Sequence, residues 1–247
     1  MENGANSLTD KPRWYWWDAA LVLFILFTLI PLSLPFKGTM KEFFTRTAET
    51  PAAAQGLMLL TSTLVQAVVM TTMVIVLIRR RGATARDLGL KWDNAKRNIA
   101  AGLLGGFLLT IVVTGLGILV SRITGPPPPQ EVEKVLQAIK NGRDLWGPFI
   151  AVAFLAPVSE EIYFRGMIYP VVRSRFGPVA AMILSSLFFG ALHFDLYRLV
   201  PITIGGIGLT YMYEKTGSLL TSMIAHSTWN ALMLMLVYLI GQIPIKG

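Results

Sequence analysis

Apolar positions along this chain run in long unbroken blocks rather than alternating. Ala19 to Phe36, Ala54 to Ile78 and Asn98 to Ser121 contain no Asp, Glu, Lys or Arg. Each approaches the ~20 residues a helix needs to cross ~30 Å of hydrocarbon. The blocks resume as Gly147 to Val172, interrupted only by Glu160, Glu161 and Arg165, then Phe176 to Phe194, Leu199 to Tyr213 and Thr216 to Ile245. The pattern predicts about seven spans, within a range of six to eight. Every backbone amide in lipid needs a partner from its own segment, and no strand-like alternation is present. The expected fold is therefore all-α, a polytopic transmembrane helical bundle.

Within that pattern, Leu199 to Tyr213 is short and carries Gly205, Gly206 and Gly208, as in a helix that turns small residues toward its neighbours. Thr216 to Ile245 is long enough for a kinked helix plus a fragment. Residues 1–146 form an N-terminal membrane region with three spans, a basic loop at 79–97 and a Pro-rich loop from 125. Residues 147–247 form the helical core that carries the chemistry. Between them, Pro126 to Pro129 open a polar connection, and Glu131 to Lys140 place Val132, Val135, Leu136 and Ile139 at helical spacing. That segment is expected to lie on the membrane surface as a short amphipathic helix.

Composition agrees: 53% hydrophobic residues, 15% charged residues and a mean hydropathy of +0.57 exclude one soluble domain. In a soluble chain a net charge of +8 would suggest nucleic acid; here its distribution argues against that partner. Arg79, Arg80, Arg81, Arg86, Lys91, Lys96 and Arg97 crowd one loop against Asp87 and Asp93, the positive-inside signal of a cytoplasmic loop. The N-terminus, with Lys11 and Arg13, is then also inside. Trp14, Tyr15, Trp16 and Trp17 form an interfacial belt, and an odd number of spans puts the C-terminus outside. The first apolar run is flanked like a membrane span rather than a cleavable leader. A multi-pass protein of a bacterial cytoplasmic membrane, with lipid as its surroundings, is expected. The chain has no cysteine, which excludes disulfides, thiolate metal sites and a cysteine nucleophile.

Ionisable side chains in hydrocarbon cost about 3 kcal/mol each at mid-bilayer on insertion scales unless paired or hydrated, so Glu160, Glu161, His193 and His226 mark a site. Glu161 and Arg165 are four apart and share a helical face. Their pairing leaves Glu160, about 100° around the helix, free to face a different cavity. Phe189 and His193, and then His226 and Asn230, repeat the i, i+4 spacing. A turn at Phe176, Gly177 and Pro178 would bring Glu160 and His193 to similar depth. His226, only about ten residues past the turn near Gly217, needs a tilt, a kink or a buried turn to come level. A carboxylate and an imidazole in one cavity can activate water as general bases, and a second imidazole with a carboxamide can donate to an oxyanion. Peptide-bond hydrolysis fits these groups; a proton relay or a bound metal would use the same ones.

The three patterns, EExxxR at Glu160, Glu161 and Arg165, FxxxH at Phe189 and His193, and HxxxN at His226 and Asn230, resemble in order the signature motifs of the CPBP family. These are the CAAX prenyl protease and bacteriocin-processing enzymes, also called the abortive infection family. The resemblance covers roughly Gly147 to Leu236. It implies a glutamate-dependent intramembrane endopeptidase with its active site inside the bundle, without metal or cofactor. In it Glu160 and His193 activate water, His226 and Asn230 stabilise the oxyanion, and Glu161, Arg165 and Phe189 support them. The implied substrate is a membrane-associated peptide or protein, either prenylated or a signalling or bacteriocin peptide. Two alternatives use the same residues. In one, Glu160, His193 and His226 ligate a catalytic zinc; in the other, they serve a proton-coupled transporter or a non-catalytic immunity protein. Trp146 and Trp229 are expected to be interface and packing residues.

Overall fold

The computed structural model describes residues 11–242, apart from the side chains of 30–35; the polar opening and the tail of the Thr216 to Ile245 block lie outside the described residues. Helices α1 (Trp16–Thr47), α2 (Pro51–Arg80) and α3 (Ala95–Thr124) are followed by the short α4 (Glu131–Ala138). A 50-residue helical path then runs over Gly142–Ala191, containing α5 (Trp146–Ile150), α6 (Ala156–Glu161) and α7 (Tyr169–Ala191), with π-helical turns at Ala151–Leu155 and Ile162–Ile168 between them. Helices α8 (Leu199–Thr216) and α9 (Leu219–Gly241) complete the described chain, in which no strand occurs. Pro51–Arg80, Ala95–Thr124, Gly142–Ala191 and Leu219–Gly241 are each long and apolar enough to cross a membrane, and Trp16–Leu29 is a shorter apolar stretch. The protein is an integral membrane protein of the all-helical class.

The expected hairpin is present: inside α7, Gly177 adopts φ 77° and ψ 171°, a backbone that a side chain disfavours, and Pro178 starts the returning leg. With this reversal the described residues form seven helical legs besides the short α4, and one of the four stretches long and apolar enough to span, Gly142–Ala191, contains two of those legs. At α2 the start is sharp. Thr50 caps it by accepting from Ala53 N at 3.0 Å, with Pro51 at the first helical position.

Small residues set the closest helix approaches. Gly102 and Gly106 of α3 are four apart and face α9; a Cβ on either would come within 3.0 Å of Ile224 and Thr221 O, or of Thr228 and Ala225 O. The α8 glycines also face neighbours as expected: Gly205 lies against the Trp229 ring, Gly206 against Ser186 and Phe189, and Gly208 against Leu109. Without a hydrophobic drive between helices in lipid, such contacts hold a bundle through van der Waals packing.

Two expectations need correction. Trp14 is not part of an exposed belt: it is 2% exposed, and its Nε1–H donates to Met167 O at 2.8 Å. Tyr15, Trp16 and Trp17 remain exposed. Trp14 leaves the belt because a buried indole with a satisfied N–H gains more from packing than from the headgroup region. Nor does the apolar face of α4 rest on lipid. Val135, Leu136 and Ile139 are buried with Ala52 of α2 and Leu234 of α9.

The basic loop also enters the bundle. Ala83, Leu88 and Gly89 are buried, Tyr213 donates from its hydroxyl to Leu88 O at 3.0 Å, and Leu219 N donates to Gly89 O at 2.9 Å. These bonds hold the α8–α9 turn, with Gly217 at φ 62° and Ser218 at 2% exposure, within the protein. Leu219 lies against Gly166. From that level Glu160 is six residues away and His226 seven, about 9 and 10.5 Å along their helices. A buried turn thus brings His226 level with Glu160.

Candidate active site

The two π turns bracket the paired glutamates. Such i→i+5 turns are rare and occur mostly as single turns inside α-helices, and here each carries an acceptor for another element. Val152 O takes Asn230 Nδ2 at 3.0 Å, and Met167 O takes the Trp14 indole. Both turns are therefore anchored from outside the helix that contains them.

Between them Glu160 and Glu161 face different surroundings. Glu161 is fully buried, and one of its oxygens accepts from Arg165 Nη1 at 2.8 Å and from His226 Nδ1 at 2.9 Å. The expected Glu161–Arg165 pair is present, and Arg165 is itself 1% exposed. Its other nitrogens donate to Gly206 O at 3.0 Å and Thr210 Oγ1 at 3.3 Å on α8, and the Phe189 ring lies 4.7 Å from its Cζ. A buried guanidinium needs this many acceptors, since a charge stranded in a low dielectric costs several kcal/mol. Glu160 instead keeps 20% of its side chain exposed, on a cavity of about 500 Å³ also lined by Phe189, His193, His226, Trp229 and Asn230.

The tautomers follow from the hydrogen bonds. A carboxylate only accepts, so His226 Nδ1 carries the proton it donates to Glu161, and Nε2 lies 3.8 Å from Glu160 Oε2. The His226 ring stacks on Trp229, centroids 5.4 Å apart at 28°, and meets the edge of Phe189 at 5.7 Å. His193 lies past the end of α7 rather than within a span: Leu192 is the cap residue, and His193 Nδ1 is 2.9 Å from Phe189 O. A carbonyl also only accepts, so this imidazole caps a last-turn carbonyl through Nδ1–H and keeps Nε2 as its free nitrogen. Phe189 stands between the two imidazoles, 4.9 Å from His193 by ring centroids.

All the residues singled out from the sequence therefore meet in one region. Glu160, Phe189, His193, His226 and Asn230 line the cavity; Glu161 and Arg165 sit directly behind it. Three features were missed: the bond from Glu161 to His226, the acceptors Gly206 and Thr210, and the π turns. Gly206 and Thr210 had a signal, since an i, i+4 pair of a glycine and a hydroxyl residue in an apolar helix presents acceptors to one side. Among the described residues, no group of three or more His, Cys, Asp or Glu side chains is arranged to hold a metal ion.

Residues 142–232 match a family model described as type II CAAX prenyl endopeptidase Rce1-like. That segment contains all three motifs, so the resemblance drawn from them is borne out. Two curated relatives are similar to this chain. One is the "Putative membrane peptidase YdiL" of Bacillus subtilis (strain 168), 30% identical over 81 residues, 33% of each chain. The other is "UPF0177 protein YaiF" of Lactococcus lactis subsp. lactis (strain IL1403), 33% identical over 92 residues, 35% of this chain and 39% of the relative. The chain thus spans between a third and two fifths of the length of the curated relatives it matches. No solved structure matches it. The matched family is one of membrane proteases.

Proposed function

We propose that this protein is an intramembrane endopeptidase that hydrolyses a peptide bond in a membrane-associated or lipidated substrate, with Glu160 and His193 activating the water. The observation that carries the reading is the meeting of three groups. Glu160 and both histidines line one cavity, and each histidine's Nδ1 is occupied by a fixed acceptor, which leaves Nε2 as its available nitrogen.

In the proposed reaction a water gives one proton to Glu160, helped by the His193 Nε2 lone pair, and its oxygen bonds to the carbonyl carbon. The carbonyl oxygen gains the negative charge. Asn230 has a second Nδ2–H beyond the one given to Val152 O, and this hydrogen serves the oxyanion. His226 serves it when protonated at Nε2, with Glu161 steadying the ring from Nδ1. The tetrahedral intermediate then collapses. Its C–N bond breaks, the electron pair returns to form the carbonyl, and the proton held by Glu160 passes to the departing amine. Glu161 and Arg165 act as positioning residues.

The test compares membrane and secreted peptides from cells carrying the wild type or Glu160→Gln, which keeps shape and removes the basic carboxylate. Peptides produced only by wild type support the reading and identify the substrate; equal cleavage by both overturns it. For purified protein the expected activity survives a zinc chelator. Loss on chelation with recovery on adding zinc replaces this reading with a metal-dependent one.

A further inference from the structure

The two ends of the bundle carry different cargo. Helix α3 begins beside the basic loop and spans 30 residues, about 45 Å, so its C-terminus marks the opposite end. The cavity that holds Glu160, His193 and His226 extends to that far end, where Thr124, Gly125, Pro127 and Gln130 line it. Other links fix the two ends independently. Arg13 bonds Gly82 O, Tyr213 bonds Leu88 O and Leu219 bonds Gly89 O at the basic end. Arg198 bonds Pro128 O, and Gln242 bonds Ile139 O, at the cavity end.

The charge distribution then orients the cavity. Arg79, Arg80, Arg86, Lys96 and Arg97 are exposed around the basic loop, and Arg173 and Arg175 lie just before the Gly177 turn at the same end. Short loops rich in Lys and Arg remain on the cytoplasmic side. At the far end Lys and Arg are fewer and spread over separate connections: Lys37, Lys41 and Arg46 before α2, Arg122, Lys134, Lys140 and Arg143 between α3 and α5, and Arg198, which is held by Glu133 at 2.8 Å and Asp195 at 2.6 Å. The floor of the site toward the basic end is closed by the buried Glu161–Arg165 pair and the buried turn at Ser218 and Leu219.

The geometry points to a cavity that opens on the non-cytoplasmic face, so that its substrate is a polypeptide segment already carried across the membrane: an exported peptide, or the extracytoplasmic end of a membrane protein. The substrate half of this inference rests on the protease reading above; the orientation half does not. The mouth suits such a segment, because Val113, Ile118, Leu136 and Met233 offer apolar walls along its length.

Because the chain has no cysteine of its own, single introduced cysteines report the face directly. Thr124→Cys and Pro128→Cys stand at the mouth end, Ala85→Cys and Trp92→Cys at the basic end, and all four positions are exposed. With a membrane-impermeant maleimide on intact cells, the first two should label at once and the last two only after lysis. The reverse pattern, or labelling of all four in intact cells, overturns the orientation. Each end has two positions, so one poorly folding variant leaves the comparison intact. The same cells then receive single-span reporters with an identical cleavable segment placed just outside or just inside the membrane. Cleavage of the outer reporter alone, abolished by Glu160→Gln, is the expected result. Cleavage of the inner reporter overturns the exported substrate. Labelling as expected with neither reporter cut leaves the orientation standing and overturns the protease reading.

Discussion

At the basic end of the bundle the links that set the depth of the site are buried, the Trp14 indole on Met167 O and the Tyr213 hydroxyl on Leu88 O, while wetter pairs stand around them: Arg81 grips a 5%-exposed Asp18 from the surface with two nitrogens at 2.9 and 3.0 Å, and Arg173 pairs with Glu214. At the cavity end the corresponding links are ion pairs within reach of solvent, Arg198 with Glu133 and Asp195, whose side chains are 12–22% exposed. The contrast separates two jobs. A buried polar link costs its full desolvation when broken, so it fixes the depth of the site. A wetter ion pair contributes little net stability, so it can hold a mouth in shape without locking it. Glu161 and Glu160 divide in the same way, one spent on the frame and one facing the cavity.

The largest expected effect breaks the frame. Arg165→Ala strands the buried carboxylate of Glu161 and should cost about 3–5 kcal/mol, seen as a large drop in thermal unfolding temperature in detergent and in yield. Glu160→Gln should leave that temperature unchanged while removing nearly all cleavage. Equal destabilisation by the two would erase the division between the glutamates.

Next in size, Trp14→Phe keeps the ring packing but leaves Met167 O without its donor, an expected loss of about 1–3 kcal/mol in denaturation. A neutral result would mean that the second π turn does not depend on its anchor. Asn230→Ala should lower turnover by roughly 10²–10³ with a smaller stability loss, measured by comparing cleavage rate with unfolding on the same preparation.

The smallest effects belong to the mouth. Arg198→Ala should cost about 1 kcal/mol or less near neutral pH, and a loss as large as that of Arg165→Ala would break the contrast between the ends. Burial pushes the Asp195 carboxyl up, but Arg198, through its side chain and backbone, and Gln130 outweigh this and hold it below the usual aspartate range. A carboxylate so depressed adds stability above its unfolded value, and that stability is lost as pH falls through the lower folded value. Below about pH 4, wild type should therefore lose more thermal stability than Asp195→Asn, a difference readable from unfolding scans between pH 6 and 3.

By itself the sequence determined the all-helical membrane class, roughly the number of legs, and which ionisable residues would meet at one cavity. Long uncharged blocks admit only helices in lipid, and charged residues in those blocks are costly enough to mark function wherever they occur. The i, i+4 spacing settled the Glu161–Arg165 pair, because its geometry is local to one helix. What lay beyond it was decided between elements. Whether His226 reached Glu160 depended on the turn at Gly217 and Ser218, which sinks into the bundle only because Leu88 and Gly89, from a loop whose charge reads as a topology signal, supply its backbone partners. The same holds for Trp14, drawn from an interfacial run into the core by a carbonyl in a π turn 153 residues away. Such bonds join positions with no periodic relation, so no pattern along the chain encodes them, and the depth and closed floor of the site come from packing alone.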